Sequence, residues 1–295
     1  MQERSLSQEL KYQFKYGGVH IKLIFINVLV FLTIILFDLI GKLTGDALLW
    51  EFLKEIIFSL QTDLKVLVYT PYGFVTSIFS HFEFFHLLFN MIFLYFIGGI
   101  FKQFFSDRRM VHVYVWGGIV GGIFEVIAHQ VTNQYPVVIG ASGSIMALFI
   151  AMAVYRPNIE VRLFGIIPVK LYIIALIYLG SEILQMTQID GIAHFAHIGG
   201  ALIGLLSVVN LNSSTNIINW SETMQQRIAR FFTRKNKLKV KQGGATRPVK
   251  TDEQYNMEAK AKQEKINIIL DKISKSGYES LTKAEKDFLF SQSNK

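Results

Sequence analysis

The chain has 295 residues, of which 51% are hydrophobic, with no cysteine and a formal net charge of +8. That apolar content and a mean hydropathy of +0.36 exclude an ordinary soluble domain. The lack of cysteine excludes disulfides and thiolate metal ligands as the source of stability. The chain reads as an integral membrane protein whose basic segments face membrane lipids, with no nucleic-acid partner expected.

Residues 1–22 form a lead-in in which Tyr12, Phe14 and Tyr16 alternate with Lys11 and Lys15. A spanning helix needs ~20 largely apolar residues. Six such runs follow, at about 23–40, 84–101, 111–131, 139–155, 168–187 and 191–210. The first lacks a small-residue cleavage site and is expected to stay as an anchor rather than leave as a signal peptide. Between the first two runs, Leu48, Leu49, Trp50, Phe52, Leu53, Ile56, Ile57 and Leu60 recur at helical spacing, which predicts a helix at the membrane interface. Lys and Arg concentrate before the first run, between the second and third, between the fourth and fifth, and after the sixth. Both termini are therefore expected on one side, read as cytoplasmic. A bacterial inner membrane is the default compartment, because no organelle-targeting segment precedes the first span.

The expected organisation is a lead-in over 1–22, a six-helix core over 23–210, a basic juxtamembrane segment and linker over 211–249, and a helical hairpin over 250–295. The basic segment carries Trp220, Ile228, Phe231 and Phe232, and Gly243 to Pro248 reads as linker. In the hairpin, Ile266, Ile269, Leu270 and Ile273 share a face, and Thr282 with Glu285 is a capping-box signal.

Chemistry concentrates in three runs. Ser142 lies among Gly140, Ala141 and Gly143, where a helix start would aim free backbone N–H groups at whatever the hydroxyl attacks. His86 and Asn90, four residues apart, leave one helix face. His197 precedes Gly200 and Gly204, whose small face lets a partner backbone approach closely. At ~1.5 Å per residue, Ser142 stands roughly 21 Å above its basic end, Asn90 roughly 18 Å, His86 about 24 Å and His197 about 20 Å. The four share one level, which predicts a pocket with Ser142 as nucleophile, His197 as base, and His86, Asn90 and the Ser142 N–H facing the oxyanion. Asp190 is two turns from His197, so a dyad is expected rather than a triad, with neither metal nor cofactor. Glu125 and Glu182 read as hydrogen-bonded structural residues.

Together, His81-x4-His86-x3-Asn90, Gly140-x-Ser142-Gly143 and Ala196-His197-x2-Gly200-x3-Gly204 resemble the motifs of rhomboid intramembrane serine proteases over roughly residues 20–210. The resemblance implies an all-α, six-transmembrane-helix bundle. It also implies a serine endopeptidase that cleaves transmembrane protein substrates near the outer side of the bilayer, using Ser142 and His197 with His86 and Asn90 as oxyanion helpers. The glycine spacing selects His197 over His194, read as a polar packing or gate residue. Two positions depart from the family pattern. Tyr72-Gly73 replaces the Trp-Arg pair of many members, and Met146 stands where many place a tyrosine against the histidine. The rivals are a proton-coupled transporter built on Glu125, Glu182, His86 and His197, and a catalytically inactive rhomboid-like binding protein. His194 and His197 without a His-Glu-x-x-His motif argue against a zinc protease.

Overall fold

The computed structural model describes residues 5–132, 137–163, 165–186, 188, 192–232 and 252–293. Asp190, the basic stretch beyond Phe232 and the linker at 243–248 lie outside the described residues. The chain forms two compact units, Met1–Arg234 and Lys235–Lys295.

In the first unit, a Ser5–Gln8 capping box starts α1 (Leu6–Tyr16), and α2 (Val19–Thr44) ends at Gly45, whose φ of 74° is left-handed. The chain folds back as α3 (Ala47–Phe58), a helix where the apolar spacing predicts one. Phe37 of α2 sits edge-on to Trp50 and Phe58, and the buried Lys54 donates to Asp38 at 2.9 Å and Glu51 at 3.0 Å. There follow β1 (Leu60–Gln61), the short α4 (Leu64–Leu67) and α5 (Gly73–Thr76), a 3-10 turn at Ser77–Phe79, α6 (Phe84–Phe101) and α7 (Asp107–Thr132). Then come β2 (Val137–Val138), α8 (Ser142–Tyr155), β3 (Glu160–Leu163), β4 (Ile167–Lys170), α9 (Leu171–Gln185), α10 (His194–Val208) and α11 (Ile217–Phe232).

Each of the six apolar runs carries a helix, but among the described residues only α2, α6 and α7 are long and apolar enough to cross a membrane. The shortfall has local causes. Gly140 has a φ of 116°, so α8 starts at Ser142 instead of 139. Ile167 to Lys170 pair with Glu160 to Leu163 as an antiparallel hairpin, which delays α9 to Leu171. With 14 residues, α8 reaches roughly 21 Å. The all-helical expectation is corrected in the same way: the protein is mostly helical with two short antiparallel ladders, β1–β2 and β3–β4.

The core lies where α7, α8 and α10 meet. A Cβ on Gly200 would overlap the Gly143 carbonyl, one on Gly204 the Ala147 carbonyl, and one on Gly121 would lie 2.6 Å from the Ala196 carbonyl. Glycine at these sites is what lets backbone meet backbone. Polar groups then tie the layers together. Asn27 of α2 donates to the Tyr114 hydroxyl at 3.3 Å, and Tyr114 donates to the Ile78 carbonyl at 3.4 Å. Arg109, a residue of a basic loop by sequence, is buried. It bonds the Ser207 carbonyl, Asn216 at 3.1 Å and Asn219 at 2.8 Å, joining the start of α7 to the end of α10 and the start of α11.

The second unit holds α12 (Asp252–Ser276), a 3-10 turn at Tyr278–Ser280 and α13 (Lys283–Ser293). Gly277, with a φ of 77°, turns the chain. Ile269 and Leu281 are buried, and the Glu285 carboxylate accepts from the Thr282 N–H at 2.7 Å and from Lys272.

Gly200→Ala should cost about 1–3 kcal/mol through overpacking and lower the unfolding midpoint in detergent. Gly180→Ala, where a Cβ meets nothing within 4 Å, should be neutral or mildly stabilising. Equal midpoints for the two variants would contradict the backbone contact.

The Thr282 backbone N–H and then Lys272 hold the Glu285 carboxyl at about 2, below the usual carboxylate range. A depressed folded value means that its contribution is complete above the ordinary carboxylate pKa near ~4.3 and is lost as pH falls toward about 2. Amide exchange at the start of α13 should therefore quicken, relative to its intrinsic rate, through that acidic window. In Glu285→Gln this acceleration should vanish.

Candidate active site

The loop ahead of α8 is tied down residue by residue. Val138 and Val137 pair with Leu60 and Gln61, the Gly140 N–H donates to the Ser77 carbonyl at 2.9 Å, and the Ala141 N–H donates to His81 Nε2 at 3.4 Å. A Cβ on Gly140 would lie 2.8 Å from both Cε1 and Nε2 of His86 and 3.9 Å from Ser142 Oγ. The His86 ring thus occupies the open face of that glycine, beside the serine. His81 stands edge-on to His86 with ring centroids 4.9 Å apart.

Ser142 is half-buried at the first position of α8. The first turn of a helix leaves its N–H groups without carbonyl partners, which holds for those of Ser142 and Gly143 at the start of α8. His197 Nε2, from α10, is 2.7 Å from Ser142 Oγ. Two contacts fix that approach. The Gly143–Gly200 packing sets the distance between the helices, and the Glu125 carboxylate of α7 accepts the Ala196 N–H at 3.1 Å, anchoring the first turn of α10.

A carboxylate also reaches the histidine, which the sequence reading did not anticipate. Glu182 of α9, 4% exposed, accepts from His194 Nδ1 at 2.6 Å. The same oxygen lies 2.9 Å from His197 Nδ1, though off the axis of a hydrogen bond. The Tyr178 ring, from the same helix as Glu182, lies 6.2 Å from that of His197 at 46°. The expectation of a histidine with no carboxylate beside it is therefore corrected. It rested on Asp190 of the same helix, whereas the partner comes from α9. The available signal was depth, since Glu182 shares the level of the histidines. Tyr178 occupies from α9 the ring-against-ring role that Met146 leaves open. His194, read as a packing or gate residue, is bound to the same carboxylate.

Asn90 is 7% exposed, and its Nδ2 donates to the His86 carbonyl at 2.9 Å within its own helix. Through that bond it braces the helix turn that carries His86. Gly140, Gly143, Gly200 and Gly204 all sit at close approaches, as their spacing predicts. Glu182, His194 and His197 place their ligand atoms within 4.8 Å of one another, a spacing that could admit a metal ion. Two of those atoms are already joined as donor and acceptor at 2.6 Å, and Nε2 of the third faces the serine. The arrangement can deprotonate a hydroxyl and hold a developing negative charge beside it.

Fold and site together define a mostly helical membrane protein with a serine–histidine centre. Residues 69–213 match the Rhomboid domain, so the chain carries a rhomboid domain. Residues 250–295 match a family of unknown function, DUF6576. The chain is similar to RHOMBOID-like protein 12, mitochondrial, of Arabidopsis thaliana, at 28% identity over 45% of this chain and 44% of that protein. It is also similar to the presenilin-associated rhomboid-like proteins, mitochondrial, of Mus musculus (30% identity) and Homo sapiens (29%), each over 44% of this chain and 35% of the relative. The matched stretch thus spans less than half the length of these curated relatives. Their mitochondrial names overturn the bacterial inner membrane, with cytoplasmic termini, expected from the sequence.

Glu125→Ala leaves the buried Ala196 N–H without its acceptor, a loss of about 1–3 kcal/mol. The unfolding midpoint in detergent should fall. Glu125→Gln, which keeps an acceptor oxygen, should recover part of the difference, and identical midpoints for all three proteins would rule the anchor out.

Proposed function

We propose that this protein is an intramembrane serine endopeptidase in which Ser142 is the nucleophile and His197 the base, acting on the transmembrane segments of other membrane proteins. The observation that carries the reading is the 2.7 Å contact of His197 Nε2 with Ser142 Oγ at a helix start that leaves backbone N–H groups free. The protease core is residues 23–210, with α8, α9 and α10 completing six membrane segments around α2, α6 and α7. The basic residues of α11 then lie against lipid on the side of the basic loops, and α12 and α13 form a helical hairpin. The relatives' names supply a mitochondrial membrane as the setting.

In the reaction, Ser142 Oγ attacks the scissile carbonyl carbon while its proton passes to His197 Nε2. The N–H groups of Ser142 and Gly143, with His86 across Gly140, hold the oxyanion. Collapse breaks the C–N bond and returns the proton from Nε2 to the leaving amine. Water then repeats the sequence on the acyl-enzyme, giving a carboxylic acid and free Ser142. Asn90 acts by holding the His86 turn. The pocket lies toward the face opposite the basic loops, so cleavage falls near that face.

Ser142→Ala and His197→Ala should each abolish cleavage of a model transmembrane substrate, and the double variant should be no worse than either, because the two groups act as one unit. His86→Ala should cost ~10²–10³ in rate while fluorophosphonate labelling of Ser142 persists. A purified, folded protein that neither cleaves nor labels would leave an inactive family member.

A further inference from the structure

Glu182 is a carboxylate deep in an apolar helix, an expensive placement that persists only with partners. Its partners among the described residues lie at one spot. His194 and His197 are three residues apart on α10 and so share a face, and both turn Nδ1 toward the same oxygen, at 2.6 and 2.9 Å. Tyr178, one turn before Glu182 on α9, packs its ring against His197 with centroids 6.2 Å apart. A purely structural link between α9 and α10 would be complete with His194. The 2.9 Å approach to His197 adds a group whose other nitrogen is on Ser142.

We propose that Glu182 is the positioning residue for the base, so that three helices supply an ordered Glu182–His197–Ser142 chain, with His194 holding the carboxylate and the Tyr178 ring lying against His197. The proposal rests on the serine-endopeptidase reading. A carboxylate facing Nδ1 keeps the proton of neutral His197 on that nitrogen and leaves the Nε2 lone pair for Ser142. When Nε2 takes the serine proton, the negative charge beside Nδ1 stabilises the imidazolium. Glu182 accepts no proton in the cycle, and the proton on Nε2 goes to the leaving amine. The carboxylate touches neither substrate nor oxyanion. Its removal should lower kcat with little change in KM.

The test uses full-length protein in detergent, with a model transmembrane substrate and a fluorophosphonate probe. Glu182→Gln should lower kcat and the labelling rate by about 10²–10⁴-fold, the scale of disabling the orienting carboxylate in serine hydrolases. Glu182→Asp, which keeps the charge, should recover at least about tenfold of that loss. A merely structural role predicts parallel losses of thermal midpoint for both variants and no rescue by charge. Nitrogen-15 histidine spectra of the unmutated protein make the test independent of whether a variant folds, and should place the His197 proton on Nδ1. A folded Glu182→Gln with unaltered kcat, or a His197 protonated on Nε2 in the unmutated protein, overturns the proposal while leaving the serine and its base in place. An unmutated protein that neither labels nor cleaves defeats the endopeptidase reading, and this inference with it.

Discussion

The contact of α8 with α10 through bare backbone is the constraint on which the rest of this molecule depends. Apolar lipid gives helices no hydrophobic reason to associate, so close packing must supply the attraction. Gly143, Gly200 and Gly204 remove the side chains that would hold the two axes apart. Gly121 does the same between α7 and α10. Only after that approach can the imidazole of one helix reach the hydroxyl at the start of another. The polar interactions at the centre are consequences of the distance thus set.

Much of this could be read from the residues. Apolar length located α2, α6, α7, α8, α9 and α10, and the glycine spacing around His197 distinguished it from His194 by the face it shares with Gly200 and Gly204. What could not be read follows from geometry that sequence spacing does not carry. The reach of α8 was overestimated because Gly140, by adopting positive φ, stops the helix at Ser142. The β3–β4 ladder shortened α9 because strand pairing depends on a partner several residues away. Glu182 was noticed as an ionisable group, but which helix face it occupied relative to α10 depends on how α9 is rotated. Asn90 shared a face with His86 as expected, yet its amide turned back onto its own helix, an option always open to a polar side chain with a carbonyl four residues before it.

Ionisable groups in the first unit divide by task. Glu125 and Arg109 terminate helices, one accepting the Ala196 N–H and the other occupying the carbonyl and amide oxygens where α10 gives way to α11. Glu182, by contrast, meets the side chains of His194 and His197. Groups of the first kind answer the unmet backbone valences that every helix end presents. The second kind answers no such need, which is why its placement bears on chemistry.

Because the serine and its histidine are registered by main-chain atoms, their spacing is insulated from the side chains that fill the surrounding core. Ile145, Met146, Leu148 and Ile203 are buried around that seam, and exchanging one aliphatic shape for another there would repack the periphery while the seam holds. Divergence within such a scaffold should therefore be uneven: wide latitude in bulky interior residues, and almost none at a few positions that have no side chain at all.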